Sequence, residues 1–225
     1  MRAAWSTPTK RRWHAASAPS TSKAAWSTAR CSSARWRCSP RPRGTPDMGV
    51  TVTPDQLDLA AWIRPGDGIV IAQGTGEPLS ATEALVRQRA AYSGATIFFG
   101  TVFSRTFQPE HADHLRFSGF GGIGSLRALV KAGVLDPIPC HISSIAGLLR
   151  DRIIRSDVVM VMVSPANARG EHSLGLVNDY VRAAIDQARV VIAEVSSQVP
   201  WTPCDRPLHA DEITVAVHSD RAPLK

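Results

Sequence analysis

No stretch of this 225-residue chain approaches the roughly 18–20 consecutive apolar residues that a bilayer-spanning helix needs. Its longest apolar run, Val158 to Val163, has the length of a strand, and no membrane partner is expected. Cysteine is scarce: Cys31 and Cys38 lie early, Cys140 and Cys204 are far apart, and no CxxC pair exists. Neither a zinc site nor a disulfide framework follows, and reduced thiols in a cytoplasmic protein are the expectation. Residues 1–47 lack more: they contain no Leu, Ile, Val or Phe, and a single acid, Asp47. Such a stretch cannot bury enough aliphatic surface to offset its ordering entropy, so it is expected to be a disordered basic tail.

That tail also disposes of the argument from charge. The chain carries +7 overall; ten Lys and Arg residues against Asp47 put +9 in residues 1–47, which leaves −2 for the rest. The part able to fold therefore lacks a basic nucleic-acid footprint. Three readings of the tail compete. Its Arg- and Ser-rich composition suits a transit peptide, although the amphipathic face is poor. Its arginines with Trp5, Trp13, Trp26 and Trp36 suit a nucleic-acid arm. The preferred reading is an over-long start, with translation beginning at Met48.

From Met48 to Lys225 the pattern is orderly. Thr53 and Pro54 read as the start of a helix carrying Leu57, Ala60 and Ala61 on one face. Ile69 to Ala72 is a short apolar strand, and Ser80 to Tyr92 a helix closed by Gly94. Further strands are expected at Ala95–Val102, Ile138–Ile142, Asp157–Ser164, Val190–Val195 and Glu212–His218. Helices are expected at Ser125–Ala132, Ser144–Asp151 and Asn178–Ala188. This alternation predicts an α/β domain with an open, mostly parallel sheet and flanking helices. Ligands of such sheets gather beyond the carboxyl ends of the strands, which singles out residues 74–78, 101–124 and 165–175.

Each of those segments holds candidate residues. Gly74-Thr75-Gly76-Glu77-Pro78 joins a strand to a helix, and its glycines let backbone amides approach an anion or a thioester oxygen. Gly74, Gly76, Glu77 and Pro78 are therefore substrate-binding candidates, against the alternative of a tight structural turn. Gly119-Phe120-Gly121-Gly122-Ile123-Gly124 matches GxGxxG, but residues 113–117 look too polar for a buried strand and Asp136 comes too early to hold a ribose. Gly121 and Gly122 are better read as a flexible wall of a substrate channel than as a dinucleotide site. Glu110, His111 and His114 run E-H-x-x-H, the wrong order for a zinc site, so no metal is expected. Ser173 resembles a nucleophile elbow but lacks its first glycine, where Glu171 stands; it is kept as a binding candidate only. Glu194 ends a buried strand, where a satisfied structural carboxylate is favoured over a catalytic one.

Read in order, these pieces resemble one family. Pro65-Gly66-Asp67, Gly76-Glu77-Pro78 and Glu83-Ala84-Leu85 are similar to the start of the acetyl-CoA hydrolase/transferases, class I CoA-transferases that include 4-hydroxybutyrate, succinate and butyrate enzymes. Val161 to Pro165, Gly170 and Ser173-Leu174-Gly175 resemble a second family element. Val191 to Val195, Gln198, Pro200, His209 and Ser219-Asp220-Arg221 resemble a third. Glu171 and Ser196 depart from the family, which often has an aromatic residue and an asparagine there.

The resemblance implies an N-terminal CoA-transferase domain over residues 48–225, and places the catalytic glutamate in a C-terminal domain beyond Lys225. That glutamate would attack a CoA thioester and pass CoA from the enzyme to a carboxylate acceptor or to water. No residue of this chain inherits its role, so the chain alone is expected to be inactive, with no bound cofactor and with acyl-CoA as substrate. A C-terminal domain and further copies of the chain are the expected partners. A free-standing α/β module binding acyl-CoA or another small molecule is the alternative, with a dinucleotide-dependent oxidoreductase behind it. Phe103, Phe107, Phe117 and Phe120 are many aromatics for a solvated stretch, and an exposed apolar face awaiting the partner domain is expected there.

Overall fold

The computed structural model describes residues 49–225; the expected tail lies outside them. Ten strands follow in chain order: β1 (Val50–Val52), β2 (Gly68–Ile71), β3 (Thr96–Phe99), β4 (Arg116–Gly119), β5 (Leu135–Pro137), β6 (Val158–Val163), β7 (Glu171–His172), β8 (Val190–Val195), β9 (Leu208–His209) and β10 (Val215–His218). Four α-helices separate them: α1 (Leu79–Arg87), α2 (Arg127–Lys131), α3 (Ile142–Arg150) and α4 (Val181–Gln187). Eight strands form one sheet in the order β1-β10-β8-β6-β2-β3-β4-β5. Every pairing in it is parallel. The remaining two, β7 and β9, make a small antiparallel pair. Among the described residues no helix is long and apolar enough to cross a membrane.

Side chains alternate across the sheet with the period of two that a strand imposes. Ile69, Ile71, Ile97, Phe99, Val158, Met160 and Ile192 enter one core with Ala81, Ala84 and Leu85 of α1. Val70, Phe98, Val159, Val161 and Val191 enter the other with Ile145 and Leu149 of α3 and Val181 and Ile185 of α4. Both faces are covered, which is why β6 reads as an unbroken apolar run and β8 as one interrupted only by Glu194. Glu194 belongs by register to the α1 face, two residues beyond Ile192, and this decides its role.

Several local expectations are corrected. The helix expected after Thr53 is only a 3-10 turn, Pro54–Gln56. Beyond it Leu57 and Leu59 are buried while Ala60 and Ala61 are exposed. Gln88, at the end of α1, holds that segment away from a helix: its amide donates to the Leu57 carbonyl at 2.7 Å and accepts the Leu59 N–H at 2.8 Å. The polar stretch 113–117 leads into β4, a strand inside the sheet between β3 and β5, with Phe117 filling the α1-side core. The strand expected at Ile138–Ile142 falls earlier, at β5, and Ile142 already begins α3. Proline at 137 and 139 cannot donate to a ladder, so pairing stops at this edge.

Candidate functional site

From β2 the chain steps outward through β3, β4 and β5, then crosses back to lay β6 on the other side of β2. The crevice between β2 and β6 is thus the point where strand order reverses, the usual ligand position in such sheets. The loop leaving β2 is pinned from its first residue. The Gln73 Oε1 accepts the Thr101 N–H at 2.8 Å, Gly74 N–H donates to the Thr101 carbonyl at 2.7 Å, and the Gln73 amide donates to the Asp179 carboxylate. Gly100 has to be glycine for this to close. A Cβ there would sit 2.2 Å from Gln73 Oε1 and 2.5 Å from the Tyr180 hydroxyl.

The predicted loops come together in part. Phe103 is the bridge: its ring lies 3.7 Å from where Gly74 would carry a Cβ and 3.5 Å from the same point on Gly124. The β2 loop and the glycine-rich loop after β4 are therefore neighbours through one half-exposed aromatic ring. Gly122 packs against Val130 and Gly121 against Ile123, both exposed aliphatics. Gly119 ends β4, and Gly124 makes a bridge with Val102. Helix α2 starts only at Arg127, so the glycine run does not deliver a ligand straight to a helix N-terminus. On the other side Thr75 and Gly76 meet Leu174 and Leu176 across a crevice floored by Met162.

Ser173 is fully buried in that second wall. Its hydroxyl donates to the Thr202 carbonyl at 3.0 Å and accepts the Thr202 and Gly175 amides at 3.0 and 3.1 Å. It builds the loop and has no hydrogen-bonding capacity left for a nucleophile's work. His172 is buried beside it, its Nδ1 2.8 Å from the Ser164 carbonyl oxygen. His111 Nδ1 accepts the Gln108 N–H at 3.1 Å, and burial pulls its pKa down.

Two buried glutamates flank the entry to α1. Pro78 stands at the cap position of this helix and has no side-chain acceptor, so the first amides need a partner from elsewhere. Glu194 supplies it from β8: its carboxylate accepts the Ser80 and Ala81 amides at 2.8 and 3.3 Å, the Ser80 hydroxyl at 2.8 Å and the Ser219 hydroxyl at 2.8 Å. A negative charge there also suits the positive end of the helix. Glu77 is only 2% exposed and differs. Its Oε1 accepts the Ser104 hydroxyl at 2.7 Å and the Thr82 hydroxyl at 3.3 Å. Its Oε2 is buried with no hydrogen-bond partner among the described residues. Burial pushes its carboxyl above the usual range, against the opposing pull of Ser104 and Thr82.

The aromatic expectation needs revision. Phe107 and Phe117 are buried and pack with Phe99 at ring separations of 4.8 and 5.8 Å. Phe120 packs, partly buried, on the other core, and Phe103 alone of the four is half exposed. These rings fill the domain's own interior because β4 is a true internal strand. Reading the sequence alone overlooked Gln73, Ser80, Ser104 and Arg105. Gln73 carried a usable signal, a polar residue between an apolar strand and a glycine; the other three had none.

The fold and this loop arrangement define an open α/β domain with glycine-bearing loops gathered at the carboxyl edge of a parallel sheet. Residues 54–223 match the model of the acetyl-CoA hydrolase/transferase N-terminal domain, and the chain belongs to that family. It is 28% identical over 159 residues to a 4-hydroxybutyrate coenzyme A transferase of Clostridium kluyveri, covering 70% of this chain and 37% of that one. A succinyl-CoA:acetate/propanoyl-CoA:succinate CoA transferase of Fasciola hepatica is 32% identical over 102 residues, covering 45% and 21%. Among solved structures, RipA from Yersinia pestis superposes with a TM-score of 0.71 at 20% identity, covering 78% of this chain and 43% of that one. The chain spans well under half the length of these relatives.

Proposed function

We propose that residues 48–225 form one wall of the acyl-CoA cleft of a CoA-transferase or acetyl-CoA hydrolase, and that the opposite wall and the nucleophilic carboxylate come from a second domain. The observation that carries this reading is the meeting of the Gly74–Pro78 and Gly121–Gly124 loops at Phe103, at the carboxyl edge of a family-matched sheet. Small residues there let a thioester approach the backbone closely, and the exposed ring offers apolar contact to an acyl chain or pantetheine arm. Neither buried glutamate suits the attack. Glu194 is held by four hydrogen bonds, and Glu77 is enclosed.

The test is complementation. The chain alone should give no CoA transfer from acetyl-CoA to a carboxylic acid above background, and Glu194→Gln should leave that background unchanged. Adding the C-terminal domain of a related transferase should produce turnover. Turnover by the chain alone that Glu194→Gln abolishes would overturn the assignment.

A further inference from the structure

Glu77 is a buried carboxyl with no part in the proposed chemistry, and its surroundings are poor in donors. Its Oε2 has no hydrogen-bond partner among the described residues. Thr82 shares its one hydroxyl proton between Glu77 at 3.3 Å and the Leu79 carbonyl at 3.2 Å, so Ser104 at 2.7 Å is the committed donor. Ser104 is also the inward anchor of its loop. Between the buried Val102 and Phe107 it alone is buried, while Phe103 and Arg105 are exposed and Thr106 is half-buried. We propose that Glu77 and Ser104 form a proton-operated catch on this loop. With the carboxyl protonated, residues 103–106 stay seated; loss of the proton to water lifts them and takes Phe103 from between the two glycine loops.

A carboxylate in a dry site must have its lone pairs filled or give up its charge, and here only one oxygen is served. Burial accordingly pushes the Glu77 carboxyl above its ordinary value, by more than the Ser104 and Thr82 hydrogen bonds pull it down. The neighbouring charges give no relief. Glu83 of α1 opposes ionisation and is itself paired with Arg221 of the C-terminal segment at 2.9 Å. Glu194 of β8 has its oxygens filled by the α1 amides and two hydroxyls. Arg105, on the loop, is exposed and makes no ion pair among the described residues. Water is close at hand, because Ser104, Arg105 and Thr106 line an open groove of about 510 Å³. Lifting the loop opens Oε2 to that groove. The movement stays local: the Val102 carbonyl accepts the Ser125 N–H at 2.9 Å, and the Phe107 ring packs on Phe99. Between these two hinges the other outside ties are exposed ones that water can replace, from Ser125 to the Phe103 carbonyl at 3.1 Å and from Gln108 to the Arg105 carbonyl at 2.5 Å.

The seated loop holds the proton more tightly than the lifted one, where water meets the carboxyl. Above pH 4.5 each opening therefore releases up to one proton. Lifting then grows by up to about tenfold per pH unit, and levels off once the seated carboxyl ionises. Amide hydrogen exchange of the full chain, followed from about pH 4 to about pH 8 and corrected for the intrinsic rate, reads this opening. The Thr106 amide, held by the Ser104 hydroxyl oxygen at 3.2 Å, should lose protection as pH rises. The Ser80 and Ala81 amides, held by Glu194, should not follow it, which separates lifting from global unfolding. Glu77→Gln keeps the neutral shape and cannot titrate, so its loop should exchange independently of pH. Ser104→Ala leaves Glu77 in place but removes the anchor. Its loop should exchange faster than the wild type throughout, with the rise continuing to higher pH. A wild-type loop whose exchange ignores pH, a slope that survives in Glu77→Gln, or a change shared by Ser80 and Ala81 would each overturn the catch. Should the glutamine variant not fold, Ser104→Ala decides alone: a loop no faster than the wild type overturns it.

Discussion

Glu194 and Glu77 are buried at the same helix entry, but their surroundings answer different demands. Around Glu194 every donor is aimed inward: two amides of α1 and two hydroxyls converge on one carboxylate. Around Glu77 the hydroxyls of Ser104 and Thr82 meet one oxygen, and the other is left without a partner among the described residues. Buried polar groups in native proteins are nearly all hydrogen-bonded, so an exception needs a reason. The satisfied carboxylate joins β8 to α1 and serves the framework. The half-satisfied one sits behind the loop that carries Phe103 and Arg105, where the candidate ligand surface begins.

The largest effect should come from breaking the satisfied side. Glu194→Ala strands the Ser80 and Ala81 amides and two hydroxyls in a dry interior, and should cost about 4 kcal/mol of unfolding free energy. Glu194→Gln keeps one acceptor oxygen but turns an amide toward donors, and should cost about 2 kcal/mol. Urea unfolding reads both; a loss from the alanine variant no larger than that of an ordinary surface change would end the contrast. Ser219→Ala removes one of the four donors and should cost about 1 kcal/mol, since three remain to hold the charge.

The same contrast marks what could be read from residues alone. Strand and helix alternation was legible because the central strands β2, β3, β6 and β8 are largely local apolar runs, and the glycine loops were legible because glycine announces close backbone approach. The pairings that define the site were not. Ser80 reaches Glu194 across 114 residues, and Ser104 reaches Glu77 across 27, with no local pattern to tie either pair together. Segment 53–61 failed for the same reason. Its leucine and alanine spacing fits a helix, but Gln88, 29 residues beyond Leu59, supplies the partners that keep it from becoming one. Strand β4 was hidden by its polar approach, and with it the burial of Phe117. Local propensity yields where a distant side chain satisfies the backbone better.

The smallest expected effect lies on the Glu77 side and appears only as a dependence on pH. Burial raises the Glu77 carboxyl above its ordinary value of 4.5, so the folded state holds this proton more tightly than the unfolded chain does. Between the unfolded and folded values the native state carries the extra proton, and stability from this group therefore falls as pH rises through that window. Asp186 and Glu212 work the other way. Burial lifts both, but arginine partners outweigh it and hold them low, so their contribution is lost as pH falls. Comparing variants cancels these shared terms. Glu77→Gln cannot titrate, so its stability minus that of the wild type should climb from just below pH 4.5 upward and level off once the folded carboxyl has ionised. Ser104→Ala, which removes a hydrogen bond that favours the ionised form, should carry the wild-type decline to higher pH. Unfolding curves collected across that range, from the acid side to neutrality, provide the measurement. A difference that stays flat would mean Glu77 ionises as an ordinary carboxyl, its second oxygen served as well as those of Glu194, and the two glutamates would no longer be distinct.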